Sequence, residues 1–344
     1  MKAVVITQPG GPEVLEIQDV ETPEPVGEQV RVRVRASGIN RAELLQRMGG
    51  YPAPAGSPQN ILGLEFAGEV DAVGSLVSKW KPGQRVMGLV GGGAQAEYLV
   101  THEGLLVEIP ANLDFVQAGG IPEVFMTAHD ALFTQAGLQM GERVLIHAIG
   151  SGVGTAAVQL ARAAGATTYG TSRTPAKLEA ARALGLDVGL SDQNFASEIQ
   201  RLTNGEGVHV VIDFVGAPYL EQNLRSLALW GRLVFLATMG GMQSNVNLGM
   251  LMQKRISMRG VSLRTRTLEE KMAVTRRFAA GVLPLLASGQ VKPVIEQVYT
   301  LEQIVEAHRA MGDNKNFGKL IVTITGPVNY CCPPFRERSK ARAS

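Results

Sequence analysis

A glycine-rich turn stands near the middle of the chain, between a short apolar run and an alanine-rich segment with helical periodicity. The run reads VLIHA over 144–148, the turn reads IGSGVG over 149–154, and the helical pattern covers 155–164. A strand, a glycine-rich turn and a helix in this order predict the βαβ unit of a dinucleotide-binding sheet, with the helix N-terminus facing a pyrophosphate. Ser151 stands where that motif usually has its middle glycine, so a parallel-sheet protein with a plain glycine turn is the alternative.

The second predicted strand of this unit, Thr167–Thr171, ends without the carboxylate that usually binds the adenosine ribose of NAD. Instead, Ser172 and Arg173 follow the strand, and Lys177 comes about one helical turn later. Two cations suit a 2′-phosphate, which favours NADPH over NADH. The alternative is a solvent-exposed loop followed by the polar face of a helix.

Length, charge and cysteine usage limit the class of protein. At 344 residues the chain exceeds what one hydrophobic core usually serves, so we expect two domains. The net charge is +2, of which the segment 327–344 carries +3, so the remaining −1 gives no basic face for nucleic acid. Without a signal peptide or a run of roughly 20 apolar residues, the sequence predicts a cytoplasmic protein. Cys331 and Cys332 both lie in the terminal segment and no two histidines have ligand spacing, so we expect no metal site.

The two parts of the chain differ in their periodicity. Val30, Val32 and Val34 alternate with arginines, and further short runs between glycine and proline turns predict a barrel-like antiparallel domain. From Pro122 onward helix and strand patterns alternate, which predicts a doubly wound parallel sheet. The predicted α/β fold is therefore a Rossmann sheet over 123–290 and a β-rich domain formed by 1–122 and 291–326. A disordered tail is expected over 327–344.

Four motifs occur in a characteristic order: GINRAELLQRMGGYPAPAG at 38–56, ILGLEFAGEV at 61–70, PEVFMTAHDALF at 122–133 and IHAIGSGVGTAAVQLARAAGA at 146–166. Together they resemble the zinc-independent quinone oxidoreductases of the medium-chain dehydrogenase/reductase superfamily, most closely the p53-inducible quinone oxidoreductase type. The resemblance implies a GroES-like first domain and transfer of a hydride from NADPH to a quinone.

Zinc-containing members of that superfamily have a cysteine near position 40 and a histidine in a GHE motif, where this chain has Asn40 and Leu64. The resemblance therefore implies catalysis without metal. It makes Asn40 a polar contact near the nicotinamide or the acceptor oxygen. Tyr51 lies in a loop that lines the cleft in this family, where its phenol can donate a hydrogen bond to a quinone oxygen. Glu65 is placed to orient a proton relay. From the residues alone, Asn40 equally suits a turn before a helix, Tyr51 packing against prolines, and Glu65 a structural carboxylate.

The resemblance also implies contacts with the cofactor. Thr127 is expected near the nicotinamide ribose, and Phe317 and Lys319 lie in a segment that returns beside the cofactor. The other expected contacts are Ser151, Gly152, Val153 and Gly154 at the pyrophosphate, Ser172, Arg173 and Lys177 at the 2′-phosphate, Val215 and Gly216 at the adenosine and ribose, and Met239, Gly240 and Gly241 near the nicotinamide. Ser191 and Asp192 depart from the family, which often has a tyrosine beside the 2′-phosphate, and an acid there works against NADPH.

Two other functions fit the same residues. One is an NADPH-dependent reductase of α,β-unsaturated carbonyls, since an enone asks for the same apolar cleft and hydrogen-bond donors as a quinone. The other is a non-catalytic nucleotide-binding protein, structural or RNA-associated. In either case the segment 258–263 resembles the edge strand through which these reductases pair, which predicts a homodimer.

Overall fold

The computed structural model describes residues 1–324, so the predicted disordered tail at 327–344 lies outside the described residues. The chain divides into two compact units. The first unit combines Met1–Met126 with the chain from Arg264 onward, and the second is Thr127–Leu263. The first unit is therefore discontinuous in sequence.

Strands dominate the first part of the first unit. In chain order its elements are β1 (Lys2–Ile6), β2 (Leu15–Asp19), β3 (Gln29–Gly38), α1 (Arg41–Arg47), β4 (Glu65–Val73), β5 (Arg85–Leu89), β6 (Tyr98–His102), β7 (Leu106–Glu108), α2 (Phe115–Ala118) and α3 (Pro122–His129). Short 3-10 helices cover Pro12–Val14 and Glu103–Leu105. Helix α3 crosses the boundary after Met126, so its last residues and the π-helical segment that follows it, Asp130–Gln135, belong to the second unit.

Strand and helix alternate in the second unit. Its elements are β8 (Arg143–Ile146), α4 (Gly152–Ala163), β9 (Thr167–Thr171), α5 (Pro175–Arg182), β10 (Val188–Leu190), α6 (Phe195–Leu202), β11 (Val208–Asp213), a 3-10 helix (Ala217–Tyr219), α7 (Leu220–Ser226), β12 (Leu227–Phe235), α8 (Leu248–Lys254) and β13 (Ser257–Gly260). The strands form a parallel sheet in the order β10-β9-β8-β11-β12-β13. The doubly wound parallel sheet predicted from the sequence is confirmed.

The returning segment completes the first unit. Its elements are α9 (Leu268–Gly281), α10 (Leu283–Ala287), β14 (Ile295–Thr300), a 3-10 helix (Leu301–Gln303), α11 (Ile304–Gly312) and β15 (Lys319–Thr323). The segment 264–290 belongs to this unit by its contacts, whereas the sequence grouped it with the nucleotide domain. The reason is that α9 packs against β7 and the 3-10 helix before it.

The large sheet of the first unit has the order β14-β15-β3-β4-β5-β7, with β6 also paired to β3. Most pairs are antiparallel as predicted, but β14 and β15 run parallel, so the sheet is mixed rather than antiparallel throughout. The helix α11 between these two strands supplies the crossover that a parallel pair requires.

Strand β3 organises the core of the first unit. Val30, Val32 and Val34 are fully buried, while the arginines between them are half-buried or exposed. The predicted alternation is thus observed, and it places one face of the strand in a core shared with α11 and β15. Within residues 1–324, no helix combines the length and the apolar character needed to cross a membrane.

Candidate active site

The end of β3 and the residues near it build a buried polar cluster, consisting of Asn40, Glu43, Glu65, Gln95 and Lys319. Asn40 precedes α1 at the capping position, yet its side chain makes no capping bond. Its amide nitrogen instead donates to Gly38 O at 3.1 Å, Glu65 Oε1 at 3.1 Å and Glu43 Oε1 at 3.3 Å. The side chain of Asn40 therefore joins the carboxyl groups of Glu43 and Glu65 rather than the helix end.

Lys319, the first residue of β15, neutralises this cluster. Its ammonium donates to Ile39 O at 2.8 Å and Asn40 Oδ1 at 2.7 Å, and it pairs with Glu65 Oε1 at 2.6 Å. Lys319 is 3% exposed and Glu65 is fully buried, so this ion pair is shielded from water. Three acceptors match the three N–H groups of an ammonium. The predicted contact of Lys319 with a cofactor stays a prediction.

Two further carboxyl groups near the ion pair have raised pKa values. Glu43 accepts a 2.6 Å bond from Gln95 Nε2, and burial raises the pKa of Glu43 to about 8, against the opposing charge of Lys319. Glu123 is half-buried, and its backbone amide donates to Glu65 Oε2 at 2.8 Å. Burial, together with the negative charge of Glu65, raises the pKa of Glu123 to about 7. The cluster can therefore store and exchange protons near neutral pH.

A glycine makes room for the acid at the centre of the cluster. A Cβ on Gly38 would lie 2.3 Å from Glu65 Oε1 and 2.9 Å from Gly119 O, closer than real Cβ contacts. Any side chain at position 38 would thus displace the carboxylate that pairs with Lys319.

The loop after α1 carries Tyr51, which is half-buried. The guanidinium of Arg264 lies over its ring, 4.8 Å from the centroid, and Arg264 Nη1 donates to Tyr51 O at 3.1 Å. The cation–π contact and the backbone bond together fix the position of the ring in the first unit.

In the second unit, the glycine-rich turn joins β8 to α4. Ala148 adopts a positive φ of 45°, and a Cβ on Gly154 would lie 2.6 Å from Ala148 O, so the turn admits only glycine at position 154. Ser151 caps α4 by accepting a 3.0 Å bond from Gly154 N. The first amides of a helix have no acceptor within it, so those of Gly152 and Val153 suit an anion.

The predicted 2′-phosphate residues follow β9 as expected from the sequence. Ser172 Oγ accepts from Thr174 N at 3.0 Å, and the side chain of Arg173 is exposed. The stem of Lys177 passes over Gly150, where an added Cβ would lie 2.7 Å from Lys177 Cδ. One cation thus lies beside the glycine-rich turn and the other at the end of the strand.

Two loops at the carboxyl edge of the sheet are hydrogen-bonded into one wall. Met239 N donates to Phe214 O, Gly240 N donates to Val215 O, and Ala217 N donates to Gly241 O. Gly216 has a φ of 84°, and a Cβ there would lie 2.7 Å from Gly241 O. The wall brings together the predicted contacts Val215, Gly216, Met239, Gly240 and Gly241. An open cavity of about 560 Å³ adjoins it at Ala217 and Pro218.

A buried polar chain holds the ends of three strands. His147 bonds to Thr171 Oγ1 at 2.8 Å and to Asn223 Oδ1 at 2.7 Å. Asn223 Nδ2 donates to Asp213 Oδ2, while Asp213 Oδ1 accepts from the amides of Val215 and Gly216. Burial lowers the pKa of His147, which keeps the ring neutral. This chain positions the wall relative to β8 and β9.

Asp192, the acid that departs from the family pattern, accepts a 2.9 Å bond from the hydroxyl of Tyr219. Burial and this bond raise the pKa of Tyr219, and the positive charge of Arg173 acts in the opposite direction. Asp192, Tyr219 and Arg173 are therefore electrostatic neighbours.

A dinucleotide fits the second unit. Glycines form tight backbone approaches at positions 154 and 216, and α4 offers its N-terminus to an anion. Thr127 Oγ1 is buried, and within residues 1–324 it has no hydrogen-bond partner, as expected of a side chain that meets a ligand. Phe317, which belongs to the first unit, is 1% exposed. The individual cofactor contacts stay predictions.

Comparison with known proteins decides the family. A model of the alcohol dehydrogenase GroES-like domain matches residues 27–111, and a zinc-binding dehydrogenase model matches residues 152–279. The quinone oxidoreductase of Pseudomonas aeruginosa is 37% identical over 320 residues, covering 91% of this chain and 96% of that protein. The chain belongs to the medium-chain dehydrogenase/reductase family. It is therefore an oxidoreductase with the nucleotide-binding dehydrogenase fold, and its first domain is GroES-like, as predicted.

Two solved medium-chain dehydrogenase/reductase structures show the range of the family. An NAD-dependent alcohol dehydrogenase is 32% identical with a TM-score of 0.85, covering 94% of this chain and 100% of that chain. The enoyl reductase CurK is 28% identical with a TM-score of 0.82, covering 94% and 98%. The p53-inducible subtype stays a prediction.

Several residues of the site escaped the sequence analysis. Glu43 and Glu123 stand on helices where carboxylates usually face water, and Gln95 and Arg264 lie in segments without a motif. Their burial arises from contacts between distant parts of the chain, which no local pattern encodes. Among residues 1–324, no group of three or more His, Cys, Asp or Glu is arranged to hold a metal ion.

Proposed function

We propose that this chain is a metal-independent NADPH:quinone oxidoreductase. The observation that carries the proposal is the ammonium of Lys319, 2.7 Å from Asn40 Oδ1 and 2.6 Å from Glu65 Oε1. In zinc-containing relatives a metal ligand stands at position 40, but here the oxygen already binds a fixed positive charge. A divalent cation beside that ammonium would be strongly disfavoured.

Hydride transfer to a quinone needs no Lewis acid, because the acceptor is already electrophilic. A bound NADPH would supply the hydride. The chain's own residues would bind and orient the cofactor along the wall of the second unit, and Tyr51 would donate a hydrogen bond to the acceptor oxygen. Glu43 and Glu123, with their raised pKa values, would keep protons available at neutral pH.

The test is oxidation of NADPH by the purified full-length chain with a para-quinone, an ortho-quinone and an enone, with and without EDTA. We expect turnover on the quinones that EDTA leaves unchanged. Loss of activity with EDTA, restored by zinc, would refute metal independence. Tight NADPH binding without turnover on any acceptor would instead favour a non-catalytic nucleotide-binding protein.

Cofactor preference is tested separately. Arg173 and Lys177 favour NADPH, whereas Asp192 near Arg173 opposes it. We expect Arg173→Ala to raise KM for NADPH by about tenfold, the equivalent of ~1.4 kcal/mol, with little effect on NADH. Asp192→Asn should change KM for NADPH in the opposite direction. Equal effects on both cofactors would contradict recognition of a 2′-phosphate.

Reduction of α,β-unsaturated carbonyls is the second candidate, because the enoyl reductase CurK shares the fold over nearly the whole chain. The ratio of kcat/KM for a quinone to that for an enone discriminates the two. A higher kcat/KM for the enone would identify the acceptor as an α,β-unsaturated carbonyl. The roles of the residues would stay the same.

A further inference from the structure

Arg264 is a buried guanidinium in the first unit, 8% exposed, to which the sequence analysis assigned no role. It is held by several acceptors. Nη1 donates to Tyr51 O at 3.1 Å, and Nη2 donates to Gly91 O at 3.0 Å and to Gln46 Oε1. Because these partners come from α1 and two loops, the plane of the guanidinium is fixed.

One donor of this side chain, the Nε–H group, lacks a hydrogen-bond acceptor among the described residues. Nε of Arg264 is buried, and no described residue accepts its hydrogen. A buried N–H group without a partner is costly, and a guanidinium donor is rarely left so. The neighbouring carboxyls Glu43 and Glu123 act on Arg264 through their charge, but neither makes a hydrogen bond to it. An oxygen from a ligand would satisfy this donor.

The aromatic neighbour of Arg264 indicates which ligand. The guanidinium of Arg264 stacks over the ring of Tyr51, 4.8 Å from its centroid, so the cation and the phenol ring are in direct contact. A fixed cationic donor beside a phenol is suited to an oxygen on which negative charge develops.

We propose that Arg264 and Tyr51 form a binding site for the carbonyl oxygen of the acceptor, with Nε of Arg264 as the donor to that oxygen. The inference rests on the proposed function, because it names the residues that would recognise its substrate. When the hydride adds to a quinone or enone, two electrons enter the acceptor and the negative charge collects on this oxygen. The guanidinium stabilises that charge, and the oxygen then takes the proton of the Tyr51 hydroxyl, which water replaces.

The experiment compares the full-length chain with Arg264→Lys and Arg264→Gln, and uses Arg277→Gln, an exposed arginine on α9, as the matched control. Steady-state rates with a para-quinone give kcat and KM, fluorescence titration gives the affinity for NADPH, and thermal melting reports folding. We expect both Arg264 variants to lose roughly 100- to 1000-fold in kcat/KM. NADPH affinity should stay within about twofold, and Arg277→Gln should match the unmodified chain.

A direct probe distinguishes two roles of Arg264, binding of a ligand oxygen and structural support of the loop that carries Tyr51. The probe is 4-nitrophenol, whose phenolate absorbs at longer wavelength than the phenol. We expect the unmodified chain to bind the phenolate in competition with quinone, and Arg264→Gln and Arg264→Lys to bind it at least about tenfold more weakly. The lysine variant keeps the positive charge but not the planar donor. A loss of phenolate affinity in this variant therefore cannot come from the loss of charge.

Equal phenolate affinity in the unmodified and Arg264 variants would overturn the inference, whatever the turnover. Absence of turnover in the unmodified chain would instead refute the proposed function, and the phenolate titration would still decide on Arg264. If the glutamine variant fails to fold, the lysine variant carries the test.

Discussion

At the scale of single residues, the buried Lys319–Glu65 ion pair makes the first unit sensitive to the loss of either partner. Removing one partner of a buried pair leaves the other charge without compensation, at a cost of about 3–5 kcal/mol. We expect Lys319→Met to lower the free energy of unfolding by about that amount, measured by chemical denaturation. Glu65 would then lie fully buried without its counterion.

A double substitution provides the control for this prediction. Lys319→Met combined with Glu65→Gln removes both charges and should recover a large part of the lost stability. Equal destabilisation by the single and double variants would show that the charge of Glu65 is not what makes the loss of Lys319 costly.

The raised pKa of Glu43 predicts that the free energy of unfolding depends on pH. Its pKa rises from an ordinary value of 4.5 to about 8 in the folded chain, so the folded state binds more protons between these values. The stabilisation is fully present below about pH 4.5 and is lost as the pH rises through about 8. Relative to Glu43→Gln, the unmodified chain should lose at most about 1.4 kcal/mol of unfolding free energy per pH unit in that window.

The measurement is urea denaturation of both proteins at several pH values across the window. Parallel pH profiles for the two proteins would contradict a shifted pKa at Glu43. Gln95 donates to the same carboxyl, so Gln95→Ala should change the profile as well.

The sequence predicted some of these residues and not others, for a physical reason. Asn40, Glu65 and Lys319 came from motifs, and the structure places all three in one network. Glu43 and Arg264 become visible only when distant segments meet, since a carboxylate on a helix and an arginine in a loop are usually solvated.

At the scale of elements, the turn between β8 and α4 depends on Gly154. An alanine there would bring its Cβ to 2.6 Å from Ala148 O, so the turn must open. We expect Gly154→Ala to weaken NADPH binding by at least about tenfold and to cost about 1–3 kcal/mol of stability. Fluorescence titration and denaturation measure the two effects.

Gly260 provides the matched control in the same unit, because a Cβ there would meet no atom within 4 Å. Gly260→Ala should leave NADPH affinity unchanged. A similar loss in both variants would contradict a special requirement for glycine at the turn.

Long periodic elements were predictable, whereas short or interrupted ones were not. The sequence over 268–288 suits one helix, but the structure divides it at Val282 into α9 and α10, because Pro284 cannot donate a hydrogen bond and crowds the preceding turn. Strand β14 escaped the sequence analysis, since its register is set by pairing with β15 rather than by its own alternation. The secondary structure of such segments depends on contacts with distant parts of the chain rather than on their local sequence.

At the scale of the whole molecule, the second unit exposes an edge strand. All four residues of β13 (Ser257–Gly260) are exposed, and its backbone pairs with β12 alone among the described strands. We predict a homodimer formed through this edge, as the sequence suggested. Met258→Pro should convert the dimer to a monomer in light scattering after gel filtration, because proline removes a backbone donor from the edge.

The exposed residue Met140 gives the control for this prediction. Met140→Asp should leave the mass in solution unchanged. A monomer in the unmodified chain at micromolar concentration would contradict the homodimer.

The position of Lys319 near the end of the described chain has a consequence for synthesis on the ribosome. The carboxylate of Glu65 emerges early, while its counterion is made some 250 residues later, after the whole second unit. An N-terminal fragment therefore cannot reach the native charge balance of its own core. We expect the second unit to acquire its structure first, with the first unit closing last around the final strand.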